Sequence, residues 1–103
     1  MALLTPAQIE QALDQLPGWS VQAGKLTKEF TVRSFAHAVV FVGAIAQLAE
    51  AMNHHPDLYL HDYKQVTISL IDHHAGGLSE KDAALAIQIE ALPHKKPDPE
   101  KKA

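Results

Sequence analysis

The chain has 103 residues, 47% of them hydrophobic and 20% charged, with a net charge of -3 and a pI of about 6.1. That length holds one domain with a modest core, and that charge argues against a nucleic-acid binder driven by phosphate contacts, which need clustered Lys and Arg. With seven histidines and no cysteine, disulfides, thiolate catalysis and cysteine-ligated zinc are excluded, while groups that titrate near neutral pH are plentiful.

Thr5-Pro6 is a helix start, because threonine caps well and proline loses nothing at the first helical position. Ile9, Leu13 and Leu16 recur at helical spacing and Pro17-Gly18 stops them, so a helix is expected from about Thr5 to Gln15. The Met1–Pro6 stretch lacks the basic start of a signal peptide. Trp19 to Gln22 reads as a short strand, and Ala23-Gly24 as a turn. Leu26, Phe30 and Val32 then mark a strand whose core face is interrupted by Lys28.

Ser34 caps a long helix running to about Met52. One stripe on it is Phe35, Ala38, Val39, Val42, Ile45, Ala46 and Ala49; a second is Val40, Phe41, Ala44 and Leu48. A helix apolar on two sides is usually buried on two sides, so self-association through this helix is expected. His37 and Gln47 interrupt this longest apolar run, so no membrane span is expected and the cytoplasm is the expected location. Pro56 disfavours helical geometry at His55 and ends the helix near Asn53 or His54.

Leu58 to Tyr63 alternates weakly and Lys64 to Leu70 cleanly, with Val66, Ile68 and Leu70 toward the core. After an Ala75-Gly76-Gly77 loop, Ser79-Glu80-Lys81-Asp82 is a capping box opening a last helix, which Pro93 ends. The expected domain spans residues 1–93, with a disordered polar tail over 94–103. The order α-β-β-α-β-β-α, with one-faced apolar patterns in the strands, implies an α+β fold: a four-stranded antiparallel sheet with three helices on one face.

The chemistry concentrates around Glu50, His54, His55 and Pro56, with His73 one strand pair later. Glu50 and His54 are four apart at a helix end, where the carbonyls and a carboxylate both favour an imidazolium. If the two intervening strands form a hairpin, His54 or His55 comes near His73. Imidazoles and carboxylates without a nucleophilic cysteine or a serine triad suit general acid–base work such as adding or removing water. Two plainer readings stand beside this one. The His-His-Pro could be a solvated helix end, and the histidines could ligate a metal, although the spacing is not a helical H-x-x-x-H. Asp82 reads first as a capping residue.

At these residues the chain resembles the pterin-4a-carbinolamine dehydratases. Glu50, His54-His55-Pro56, Tyr63, His73 and Asp82 fall in that family's order and spacing, and Leu16-Pro17-Gly18-Trp19 and Gly77-Leu78-Ser79-Glu80-Lys81-Asp82 extend the likeness over about Leu16 to Leu92. The resemblance implies a hydro-lyase that dehydrates 4a-hydroxytetrahydrobiopterin to quinonoid dihydropterin, recycling a pterin cofactor, with no metal and no cofactor of its own. It implies catalytic roles for His54, His55 and His73, with Glu50, Pro56, Asp57, Asp72 and Asp82 binding or orienting. A small-molecule pterin is the implied partner, with no membrane and no direct nucleic-acid contact, and the family's dimers and tetramers imply a homodimer or homotetramer. The alternatives are a non-catalytic binding module of the dimerisation-cofactor or coactivator kind, and a molybdopterin-related relative. Two departures stand out: Asp57-Leu58 follows the proline where an acidic residue and Trp are common, leaving Tyr59 to supply an aromatic wall, and Asp72 precedes His73 where Thr is common.

Overall fold

The computed structural model describes residues 3–94. Its elements are α1 (Pro6–Asp14), β1 (Ser20–Gln22), β2 (Lys25–Thr31), α2 (Phe35–Met52), β3 (Asp57–His61), β4 (Gln65–Leu70) and α3 (Glu80–Ala91). The strands form one antiparallel sheet in the order β1-β2-β4-β3. The expected architecture is therefore the observed one, with element ends shifted by a residue or so. The polar tail expected over 94–103 lies, beyond His94, outside the described residues.

Register explains why one face of this sheet is the core. Phe30 lies opposite Val66, Lys28 opposite Ile68 and Leu26 opposite Leu70; on the other side of β4, Leu58 meets Ile68 and Leu60 meets Val66. With a side-chain period of two, these residues share a face. Val66, Ile68, Leu70, Leu26 and Phe30 are buried under the helices, together with Ile45, Leu85 and Ile89. The opposite face carries Thr27, Glu29, Thr31, Gln65, Thr67 and Ser69, and among the described residues no helix covers it.

Lys28 sits on the core side after all, and its surroundings account for it. Its stem passes Phe30, with the ammonium 4.4 Å from the ring centroid, and its head reaches Glu90 and the carbonyl of Pro17. Glu90 also accepts from the indole Nε1 of Trp19, at 2.8 Å, so the buried tryptophan has a satisfied donor. The long side chain thus contributes apolar surface inside and a paired charge at the margin.

Helix α2 departs from the expected stripes. Its buried residues are Ala38, Phe41, Ile45 and Ala49, whereas Phe35, Val39 and Val40 are exposed. Phe41 thus leaves the second stripe for the core, and Phe35, Val39 and Ala46 leave the first for the surface. The apolar pattern runs almost all round the helix, so spacing could not say which side faces the sheet. For the same reason α2, at 18 residues, is by length and composition apolar enough to cross a membrane, despite His37 and Gln47. One side of it is nevertheless packed into the core against the sheet and α3.

Candidate active site

The geometry begins at the end of α2. Asn53 takes a left-handed conformation, φ 51° and ψ 43°, which asparagine tolerates better than other non-glycine residues. The backbone N–H of His54 then donates to the carbonyl of Ala49, and that of Asn53 to Ala49 and Glu50. These bonds satisfy carbonyls of the last turn and reverse the chain sharply. The reversal undoes the expected pairing of Glu50 with His54. Glu50 instead meets His55, with Nε2 2.5 Å from Oε2, and both side chains are largely exposed, at 59% and 72%.

His54 turns inward and is buried. Its Nε2 lies 2.6 Å from Oδ1 of Asp82, a carboxylate with no exposed surface in the first turn of α3. Asp82 is also the third residue of the capping box: its Oδ2 accepts from the backbone N–H of Ser79 at 2.9 Å. One side chain therefore caps a helix and fixes an imidazole. An ionised carboxylate only accepts, so the proton between the pair sits on Nε2, and in the neutral ring Nδ1 of His54 is the acceptor nitrogen. Nδ1 has no hydrogen-bond partner among the described residues, and no buried side-chain nitrogen or oxygen is unpartnered there. Nδ1 therefore opens toward solvent.

The hairpin of β3 and β4 brings in the third histidine. Asp57 lies opposite Ser69, so the chain entering β3 from His55-Pro56 runs beside the chain leaving β4. Asp72 and His73 follow directly, in a turn that returns to Ser79 at the start of α3. His73 is exposed, and its ring makes no hydrogen bond among the described residues. Pro56 is half-buried. The sequence places Glu50, His54, His55, Pro56, Asp72, His73 and Asp82 at one end of the sheet, and the fold keeps them there.

Other expected participants lie elsewhere. Asp57 points to the open sheet face, 3.5 Å from Nζ of Lys25. Tyr63 sits at the tip of the β3–β4 hairpin with φ 52°, about 15 Å of strand away from the histidine pair. Tyr59 is stacked on His61 on the open face, 4.5 Å between centroids and 17° between planes, while His54 turns into the helix layer. Asp72 makes no hydrogen bond to the ring of His73. Its Oδ2 accepts from the Ser79 hydroxyl at 2.7 Å, and its Oδ1 from the backbone N–H groups of His74 and Ala75. That hydroxyl, opposed by burial and helped by the two amides and nearby His54, holds the Asp72 carboxyl below the usual carboxylate range. Among the described residues, no three His, Cys, Asp or Glu side chains have the arrangement to hold a metal ion.

Ser79 is the participant that sequence reasoning missed. A serine before a helix reads as a cap, and nothing in the local spacing announces that its hydroxyl reaches Asp72, seven positions back.

Residues 2–92 match the family model described as pterin 4 alpha carbinolamine dehydratase. The chain is 44% identical over 92 residues to a protein of Acidobacterium capsulatum, covering 89% of this chain and 99% of that one. It is 46% identical over 91 residues to a protein of Roseiflexus castenholzii, covering 88% and 97%. Both are named provisionally as pterin-4-alpha-carbinolamine dehydratases. Among solved structures, a transcriptional coactivator/pterin dehydratase from Brucella melitensis matches with TM-score 0.80 and 31% identity, over 86% of this chain and 96% of that one. A pterin dehydratase-like protein identified as a RuBisCO assembly factor in the alpha-carboxysome matches with TM-score 0.61 and 28% identity, over 75% and 90%.

Proposed function

The chain belongs to the pterin-4-alpha-carbinolamine dehydratase family, its curated relatives are named as dehydratases, which are hydro-lyases, and we propose that it dehydrates a 4a-hydroxytetrahydropterin by histidine general acid–base catalysis. In that reaction the C4a–OH bond breaks, the hydroxyl leaves as water after taking a proton, and N5 gives up a proton as the N5–C4a double bond of the quinonoid dihydropterin forms. One group must therefore accept a proton and another must donate one.

The observation that carries the proposal is the buried His54–Asp82 pair. It fixes the tautomer of the neutral ring with Nδ1 as the proton acceptor, which suits His54 to take the N5 proton. His73, exposed on its turn, suits the role of acid toward the leaving hydroxyl. His55, oriented by Glu50, would mainly hold the pterin. The product would re-enter the cycle of a pterin-dependent oxidation.

The decisive measurement follows disappearance of the 4a-hydroxypterin, generated in situ, with and without the protein. The expected outcome is a rate well above the spontaneous one, lost in His54→Ala and His73→Ala. A rate no faster than the spontaneous reaction would sink the proposal and leave a binding module, the reading toward which the coactivator and assembly-factor names of the two structural neighbours lean.

Self-association through α2 belongs to the same reading. Phe35, Val39 and Val40 are 55%, 50% and 71% exposed, a contiguous apolar face that a second copy would cover. Beside it lies a cavity of about 170 Å³ lined by Val40, Phe41, Ala44, Leu92 and Pro93. Gel filtration with light scattering at micromolar concentration is expected to give a dimer or tetramer, and Val40→Asp a smaller species.

A further inference from the structure

We infer that Ser79 and Asp72 act together as positioning residues for His73, forming a buried strut that holds its turn against the N-terminus of α3; this rests on the dehydratase reading above. Three contacts meet at Asp72: the Ser79 hydroxyl on Oδ2 at 2.7 Å, and the N–H groups of His74 and Ala75 on Oδ1 at 3.0 and 3.2 Å. The carboxylate is 3% exposed, so its oxygens are satisfied by this chain rather than by water.

The backbone closes the same turn. The N–H of Asp72 donates to the carbonyl of Gly77 at 2.9 Å, and those of Gly76 and Gly77 donate to the carbonyl of Asp72 at 2.9 and 3.2 Å. Gly76 takes φ +81°, which a side chain would strain. An N-terminal strap adds to this: Leu3 bridges Ser79, and the N–H of Leu4 donates to Leu78. His73 is thus an exposed ring on a turn whose backbone has little freedom.

Ser79 joins this turn to the other half of the site. Its hydroxyl holds Asp72, and its own N–H holds Oδ2 of Asp82, the carboxylate that fixes His54. The run Asp72–Ser79–Asp82–His54 links His54, through hydrogen bonds, to the residue that precedes His73 in its turn. Its rigidity fixes the separation of the two histidines, and misplacing a reacting group by about 1 Å costs on the order of 100-fold. A threonine at position 72 would offer one oxygen where Asp72 uses two, so the acidic residue is what lets this chain tie the turn from both sides.

The test compares Asp72→Asn and Ser79→Ala with the unmodified chain by dehydration kinetics and by amide hydrogen exchange of His74 to Gly77. Asp72→Asn keeps the shape and the oxygen facing the turn amides but puts a neutral N–H donor where Oδ2 accepts from the Ser79 hydroxyl, ending that charge-assisted bond; Ser79→Ala removes the hydroxyl and keeps the N–H to Asp82. Each variant is expected to lower kcat about tenfold with KM within about twofold. Exchange should rise in the turn and not in β2 or β4. The double variant should lose no more than about the larger single effect, because both changes break the same strut. Wild-type kcat in either folded variant, or exchange rising uniformly across the sheet, would overturn the inference. If Ser79→Ala fails to fold, Asp72→Asn alone decides by the same two readings. An inactive unmodified chain would instead overturn the dehydratase reading, whatever the exchange of the turn.

Discussion

His54 and His55 are neighbours in the chain with the same side chain, and each is bonded through Nε2 to a carboxylate. They differ in burial. His54 and Asp82 are 8% and 0% exposed, and His55 and Glu50 are 59% and 72% exposed. In the first pair, solvent cannot replace either partner, so the geometry is enforced and its loss is expensive. In the second, water competes for both groups, and the contact is worth little. The same contact on paper is a fixed tautomer in one place and a loose orientation in the other. Burial decides which of the two can be relied upon for a proton transfer.

The largest expected effect separates the two rings directly. His54→Ala should lower kcat by about 100-fold or more, the size of a lost acid–base group. His55→Ala should act mainly by raising KM, with kcat within about tenfold. Equal losses of kcat would break the contrast and return His55 to the chemistry.

Next in size is stability. Asp82→Ala removes one partner of a buried pair and a capping residue, and should cost about 3 kcal/mol in urea unfolding. Glu50→Ala should stay within about 0.5 kcal/mol. A cost for Glu50→Ala matching that of Asp82→Ala would mean that the exposed pair is covered in solution, as by a second copy packed on α2.

The smallest effect is the pH dependence of the strut. The Asp72 carboxyl is held below its usual range, chiefly by the Ser79 hydroxyl. A folded pKa below the unfolded value of about 3.9 adds stability that is present above that value. It is lost as pH falls from about 4 through the folded pKa. The gap in Tm between the unmodified chain and Asp72→Asn should therefore be constant above about pH 5 and close below about pH 4. A gap that widened on acidification would show that Asp72 is not held as an ion.

Much of this molecule is determined by the chain locally. Thr5-Pro6, Ser34 and Ser79 with Asp82 start helices because a side-chain oxygen answers an orphan N–H in the next turn. Alternation in Val66, Ile68 and Leu70 dictates which face of β4 is buried. The order of elements, and with it the gathering of His54, His55 and His73 at one end of the sheet, follows from those short-range rules and a single hairpin.

What the chain alone left open was decided by contacts between residues far apart in sequence. Periodicity could not choose the buried side of α2, because nearly every side is apolar; packing on the sheet and α3 chose Phe41 and Ile45 over Phe35 and Val39. Helical spacing paired Glu50 with His54, but the left-handed Asn53 turned the chain and gave Glu50 to His55 and Asp82 to His54. Lys28 looked like a flaw in a strand until Glu90, 62 residues later, received its charge. Ser79 looked like a cap until Asp72 met its hydroxyl. Hydrogen bonds and ion pairs between distant segments depend on where whole elements dock, and no local pattern encodes that.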